Sequence, residues 1–151
     1  MELFIIIFTI LIDQVSKYGA IKFLKNSQPY KIIGDFFQFN YVENRGAAFG
    51  ILEHRRIFFI IITIIIILFI STYLVKNYSN LNVITRLSLS MLIGGAAGNL
   101  IDRIRFGYVV DFISFRIKGV YSFPVFNLAD TFIVISTFLI VILILFDWVE
   151  V

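Results

Sequence analysis

Six ionisable side chains interrupt the apolar stretches of this sequence and are the first candidates for chemistry. They are Asp13, Lys17, Asp102, Arg103, Asp111 and Asp130. An ionisable group inside or beside a membrane span is costly, so it is a functional candidate by default. The chain has no cysteine and one histidine, His54, so thiolate chemistry is excluded and a zinc site has too few ligands. Carboxylate chemistry is favoured.

Asp111 and Asp130 form the most informative pair. Asp111 interrupts the semi-apolar extended run Tyr108–Ile113, whereas Asp130 follows Asn127 by three residues at the start of an apolar run. Asn127 as N-cap with Asp130 at position N3 also fits a helix capping box, so spacing alone leaves a structural and a catalytic interpretation of Asp130. Two carboxylates that meet in a water-poor site share a proton. Such a pair can activate a water and protonate a leaving amine, as aspartic proteases do.

Asp13 and Lys17 are four residues apart and predict an ion pair on one helix face. A Ser16–Lys17 dyad is the alternative, but adjacent helical residues point about 100° apart, which disfavours it. Further along the chain, the glycines of Gly94-x-x-x-Gly98 predict close helix packing.

Asn99 and Arg103 share a helix face just beyond these glycines. The packing predicts that both reach the bundle interior, where the forked donors of Arg103 suit a carboxylate or a substrate carbonyl.

The elements that must position these residues are membrane spans. The chain of 151 residues is 60% hydrophobic and 15% charged, with a mean hydropathy of +0.95, which excludes an ordinary soluble domain. We predict one membrane domain over residues 1–151, with an uncleaved first span. Its four spans lie at about 3–23, 57–75, 87–103 and 128–146, and its surface loops at 24–56 and 104–127. The second span carries no charge over residues 57–75 and is predicted to face lipid.

Two short extended segments belong to the predicted surface loops. Phe37, Phe39 and Tyr41 alternate with polar residues at a period of two, which is typical of a strand, and Tyr108–Ile113 is similar. The predicted fold class is therefore an all-α membrane protein with four transmembrane helices and short strands at the membrane surface, which the family resemblance described below would make a small β-strand cradle.

The net charge of +3 is spread along the chain, which argues against nucleic acid as a partner. The two longer loops hold more lysine and arginine than the termini and the loop between spans two and three. Taken alone, the positive-inside rule would place the longer loops in the cytoplasm.

Five ordered stretches carry a resemblance to a known family. They are Asp13-Gln14-Val15-Ser16-Lys17, Asn44-Arg45-Gly46-Ala47-Ala48-Phe49-Gly50, Gly94-Gly95-Ala96-Ala97-Gly98-Asn99-Leu100-Ile101-Asp102-Arg103, Val110-Asp111-Phe112-Ile113, and Phe123-Pro124-Val125-Phe126-Asn127-Leu128-Ala129-Asp130. These stretches run from the first span to the fourth. The chain closely resembles lipoprotein signal peptidase, the bacterial signal peptidase II.

The resemblance implies an aspartyl endopeptidase of the bacterial inner membrane and a target of globomycin. It would remove signal peptides from diacylglyceryl-modified prolipoproteins, cutting before the lipidated cysteine, with Asp111 and Asp130 as the catalytic pair. The resemblance also gives supporting or substrate-lining roles to Asp13, Lys17, Asn44, Gly46, Asn99, Arg103 and Asn127. It implies cytoplasmic termini and an active site near the outer face, against the charge count.

The expected partners are prolipoprotein substrates and membrane lipid, and the expected state is a monomer without cofactor or metal. Two other classes stay open. In a proton or ion carrier, Asp13, Lys17, Asp111 and Asp130 would form a relay across the bundle. In a structural subunit, the acidic residues would merely cap helices, which leaves Asp111 unexplained.

Overall fold

The computed structural model describes residues 1–46, 53, 55–117 and 121–146. Its elements are α1 (Glu2–Leu24), β1 (Tyr30–Ile33), β2 (Phe37–Asn44), α2 (Arg56–Lys76), α3 (Val83–Arg105), β3 (Val109–Ile117), β4 (Tyr121–Ser122) and α4 (Leu128–Leu145). All four helices are long and apolar enough to cross a membrane. The predicted class, four membrane helices with a small sheet, is confirmed. His54 and residues 47–50 of the second motif lie outside the described residues.

The third helix begins earlier than its hydropathy suggests. It starts at Val83, four residues before the predicted start at 87, because Asn82 caps it. The Asn82 side-chain oxygen accepts a hydrogen bond from the Thr85 backbone N–H at 2.8 Å. Such a cap satisfies one of the amides that a helix start leaves without an intrahelical partner. A hydropathy scan passes over this first turn because Thr85 and Arg86 are polar.

Glycines bring α3 close to two other helices. A Cβ added to Gly94 would come within 2.7 Å of Thr9 Cβ, and one added to Gly98 within 2.5 Å of Asp13 Oδ2, so both glycines face α1. A Cβ on Gly95 would lie 2.7 Å from the Ala129 carbonyl oxygen of α4. The predicted packing role of the glycines is confirmed, and it places α3 between α1 and α4.

The second helix contributes little to the interior. Of its 21 residues, all within the described part of the chain, Leu74 is the one buried residue. Ile57, Phe69 and Val75 are each more than 70% exposed, and a bilayer is the environment in which such apolar surface is stable. The structure therefore agrees with the prediction that this span faces lipid.

The strands form one antiparallel sheet in the order β1-β2-β3-β4. Both predicted extended segments are strands, and they pair with each other. Asp111 is opposite Val42, and Phe37 stacks on its partner Phe115 with ring centroids 4.8 Å apart. The pairing places Asn44, at the end of β2, beside the part of β3 that carries Asp111.

Candidate active site

The two candidate catalytic carboxylates line one pocket. Asp111 lies on β3 and Asp130 in the first turn of α4, and both border a cavity of about 520 Å³. Its other walls are mostly apolar and come from residues 123–126 and from α4. Val134 and Ile135 belong to the α4 wall and are exposed on the lateral surface of the helix bundle. The pocket therefore opens sideways along α4.

The Asp111 carboxylate is held by two amide donors. Asn44 Nδ2 donates to one oxygen at 2.9 Å, and Asn127 Nδ2 donates to the other at 2.7 Å. The side chain is 1% exposed. Burial, and next the negative charge of Asp130, raise the pKa of Asp111 to about 7. At or below neutral pH, Asp111 is therefore suited to carry the proton that such a pair shares.

Asp130 caps a helix and also lines the pocket, so its position is compatible with both the structural and the catalytic interpretation. One oxygen accepts from the Asn127 backbone N–H at 3.3 Å while the Asp130 N–H donates to Asn127 Oδ1 at 2.9 Å, which completes a capping box. The other oxygen accepts from Asn99 Nδ2 at 2.8 Å. The cap fixes the carboxylate at the pocket wall. Capping and a place in the pocket are thus compatible.

The orientation of the Asn99 amide follows from its neighbours. Lys17 Nζ, which can only donate, lies 2.9 Å from Asn99 Oδ1, and Asn127 Nδ2 donates to the same oxygen at 3.2 Å. The Asn99 NH₂ group must therefore point the other way, toward Asp130. Through Asn127, the same chain of hydrogen bonds reaches Asp111.

The predicted ion pair between Asp13 and Lys17 is present, with Nζ 2.8 Å from Asp13 Oδ2. Lys17 also lies 3.1 Å from Asp102 Oδ2, a partner that the helix spacing does not reveal. Ser16 donates to the Asp13 backbone carbonyl at 2.7 Å. This bond agrees with the argument against a Ser16–Lys17 dyad.

Arg103 and Gly46 lie beside the catalytic candidates Asp111 and Asp130, the aspartate dyad. The Arg103 guanidinium is 4.9 Å from the centroid of the Phe59 ring and donates to the Gly46 carbonyl at 3.4 Å. Its positive charge acts on the carboxylates of Asp111 and Asp130. The Gly46 N–H donates to Asn44 Oδ1 at 3.0 Å, which turns the Asn44 NH₂ toward Asp111. Every site residue named from the family motifs thus lies near Asp111 and Asp130 or is hydrogen-bonded to a residue that lies near them.

Comparison with known proteins identifies the group of proteins to which this arrangement belongs. The family described as signal peptidase (SPase) II matches residues 5–146. The chain belongs to the signal peptidase II family.

Curated relatives agree with the signal peptidase II assignment. The lipoprotein signal peptidase of Clostridium tetani is 48% identical over 145 residues, covering 96% of this chain and 92% of the relative. That of Halothermothrix orenii is 49% identical over 144 residues, covering 95% and 92%. A solved bacterial membrane enzyme is 38% identical, with a TM-score of 0.85 over 97% of this chain and 88% of its own. A second has 39% identity and a TM-score of 0.83 over 95% and 92%. Signal peptidase II membership makes this chain a peptidase.

Three residues near this candidate site were missed by sequence reasoning. Gln14 donates to Asp13, Gly98 and Asp102 at 3.0–3.2 Å. Arg56 donates to the carbonyls of Arg103 and Ile104, the last turn of α3, and Phe59 lies under the Arg103 guanidinium. Gln14 carried a usable signal, an amide in an apolar run, whereas Arg56 and Phe59 resemble ordinary residues at the start of a span.

Proposed function

We propose that this chain is a membrane aspartyl endopeptidase. It removes the signal peptide from diacylglyceryl-modified prolipoproteins and cuts immediately before the lipidated cysteine. The observation that carries the proposal is that Asp111 and Asp130 line the same largely apolar pocket, each fixed by asparagine donors. Family membership and the names of the curated relatives support the substrate class.

The shape of the pocket suits a substrate that arrives through lipid. A signal peptide and the acyl chains of diacylglycerol are apolar, and so are the walls formed by Phe123, Val125 and the exposed face of α4. Burying apolar substrate surface there is favourable. The substrate therefore enters sideways between the sheet and α4, and its scissile carbonyl comes to lie between the two carboxylates.

The two aspartates take opposite parts in the chemistry. Asp111, whose pKa is raised to about 7, carries the proton and donates a hydrogen bond to the scissile carbonyl oxygen. Asp130 is the ionised partner and takes a proton from the attacking water. The positive charge of Arg103 acts on both groups and offsets the negative charge of the pair.

The proposed reaction balances within the pair. The water oxygen bonds to the carbonyl carbon, Asp130 takes the water proton, and the Asp111 proton passes to the carbonyl oxygen. The carbon–nitrogen bond then breaks. The amine leaves with the proton held by Asp130, and the second hydroxyl of the intermediate returns its proton to Asp111 as the carboxylic acid forms. The pair is restored without a covalent intermediate.

We further propose that the chain acts as a monomer in the bacterial inner membrane. The hydrogen bonds that hold Asp111 and Asp130 are complete within a single chain, so the proposed chemistry needs no residue from a second copy. The termini would be cytoplasmic and the pocket near the outer face, since a prolipoprotein is cut where its mature part emerges. A reporter fused to the C-terminus should be active only inside the cell. Activity only outside would reverse this orientation.

The test of the function is cleavage in detergent by the purified protein. A diacylglyceryl-modified prolipoprotein should be cut, and mass spectrometry should show a new amino terminus at the lipidated cysteine. The same precursor without the lipid is the matched control and should be cut far more slowly. A folded protein that cuts neither precursor, or that cuts at another bond, would contradict the proposal.

The pH dependence of cleavage should report the proton on Asp111. As the pH rises through about 7, Asp111 loses its proton, both carboxylates are ionised, and the hydrogen bond to the substrate carbonyl is lost. Because this pKa belongs to the enzyme without bound substrate, we expect kcat/KM to fall on the alkaline side, with its half-maximal point near pH 7. A rate that keeps rising to pH 9 would show that Asp111 is not the proton donor.

The same pKa predicts how stability depends on pH. The folded protein binds the Asp111 proton more tightly than the unfolded chain, because the pKa is raised from 3.8 to about 7. The stabilising contribution is therefore complete below pH 3.8 and is lost as the pH rises to about 7. The thermal midpoint of the wild type should fall across this window by more than that of Asp111→Asn.

A further inference from the structure

A buried ion triad lies beside the dyad. Lys17 Nζ is 2.8 Å from Asp13 Oδ2 and 3.1 Å from Asp102 Oδ2. The three side chains are at most 2% exposed, so water does not weaken their attraction. One ammonium thus joins a carboxylate of α1 to a carboxylate of α3.

Each carboxylate of the triad also holds one backbone N–H. Asp102 Oδ2 accepts from Val110 N at 3.0 Å, and Asp13 Oδ1 accepts from Ala129 N at 3.0 Å. Val110 directly precedes Asp111, and Ala129 directly precedes Asp130. The triad therefore has two equivalent arms, and each arm ends on the peptide unit next to a catalytic aspartate.

Gln14 forms a second link between Asp13 and Asp102, in addition to Lys17. Its Nε2 lies 3.2 Å from Asp13 Oδ2 and 3.0 Å from Asp102 Oδ1, and it also donates to the Gly98 carbonyl at 3.2 Å. Three acceptors around one amide nitrogen fix the Gln14 side chain. The Gln14 amide thus donates to Asp102 Oδ1, the oxygen that Lys17 and Val110 leave open.

We infer that Asp102 and Gln14 are positioning residues that set the separation of the catalytic pair. This inference rests on the proposed function of Asp111 and Asp130. If one arm is released, β3 and the first turn of α4 are no longer tied to a common cation. A misplacement of about 1 Å in such a site can cost about 100-fold in rate, while the apolar pocket that binds substrate keeps its walls.

The side-chain test separates kcat from KM. In Asp102→Asn one carboxylate oxygen becomes an amide nitrogen that cannot accept, and Lys17 loses one of its two charge partners. We expect kcat to fall about 10- to 100-fold and KM to stay within about twofold, since the effect is on geometry at the reacting carbon. Gln14→Met keeps the length of the side chain without its donor and should lower kcat less, by about 3- to 10-fold.

A backbone test keeps every side chain. Replacing Val110 or Ala129 by the corresponding α-hydroxy acid turns one amide into an ester and removes the N–H that donates to Asp102 or Asp13. Each ester should lower kcat with little change in KM. The matched control is an ester at Leu81, whose N–H donates to the Asn77 carbonyl at 3.0 Å in the turn before α3, and it should keep wild-type kcat. The esters decide the matter if Asp102→Asn does not fold.

Wild-type kcat in the folded Val110 and Ala129 esters would overturn the inference, and so would equal losses in these esters and in the Leu81 control. Neither result would affect the proposed function, which fails only if the wild type does not cut or if the pair Asp111 and Asp130 proves dispensable. The two ideas are therefore tested by different measurements on the same substrate.

Discussion

Replacing Asp111 or Asp130 by asparagine should reduce cleavage of a lipidated prolipoprotein by at least about 10³-fold. Asparagine has nearly the same shape but cannot take a proton from water at Asp130 or give one to the carbonyl at Asp111. Because the two carboxylates act as a unit, the double variant should lose little more than either single variant. Initial rates measured with purified proteins in detergent give all three comparisons.

The control for these variants is Asp35→Asn. Asp35 is an exposed carboxylate between β1 and β2 that pairs with Lys31, and its substitution should leave the rate within about twofold, since exposed ion pairs contribute little. Thermal unfolding should confirm that the variants at 111 and 130 are folded. If folded Asp111→Asn or Asp130→Asn cleaved at nearly the wild-type rate, the aspartyl mechanism would be contradicted. Proton flux in liposomes would then test the relay function instead.

Loss of the Lys17 charge should have the second large effect. Lys17→Met removes the cation between Asp13 and Asp102 and leaves two buried carboxylates without the ammonium that bridges them. Breaking a buried ion pair in this way typically costs about 3–5 kcal/mol of unfolding free energy. Cleavage should also fall, because the Asn99 oxygen loses the shorter of the two donor contacts that orient its amide toward Asp130.

The free energy of unfolding in detergent, measured by denaturant titration, gives the size of this effect. Lys22→Met is the matched control, because Lys22 lies on the same helix with its side chain exposed. It should change the unfolding free energy by less than about 0.5 kcal/mol. Equal stability of the Lys17 and Lys22 variants would show that the buried pair contributes nothing to the fold.

Local pattern explains why so much of the fold was predictable. Each span is a run of apolar residues long enough for a bilayer, and the observed helix ends differ from the prediction by one residue or none, apart from α3, which starts four residues earlier and ends two residues later. The Asp13–Lys17 pair follows from helix periodicity alone. The alternation from Phe37 to Tyr41 likewise needs no knowledge of the rest of the chain.

Contacts between distant segments could not be derived in this way. The pairing of β2 with β3, which brings Asn44 to Asp111, joins residues 67 apart in the sequence. The contact of Lys17 with Asp102 depends on how closely α1 and α3 approach. No local period encodes such distances. For the site residues, the family motifs therefore gave more than the spacing did.

The capping box at Asp130 shows why spacing gave two interpretations of one residue. The pattern of Asn127 and Asp130 predicts a helix start, and the structure has it. The cap, however, uses one carboxylate oxygen and leaves the other to Asn99. The local motif predicts the contact of Asp130 with Asn127. The contact with Asn99 depends on the packing of α3 against α4.

The dyad depends on both ends of the chain. Asp13 and Lys17 lie on α1, whereas Asp130 lies on α4. The Ala129 N–H donates to Asp13, and hydrogen bonds from Lys17 to Asn99 and from Asn99 to Asp130 complete the connection. During biosynthesis, the first three helices emerge from the ribosome before the fourth. The candidate site is therefore completed only when α4 has been inserted and packed, and a nascent chain that ends before α4 lacks Asp130 and cannot form the pair.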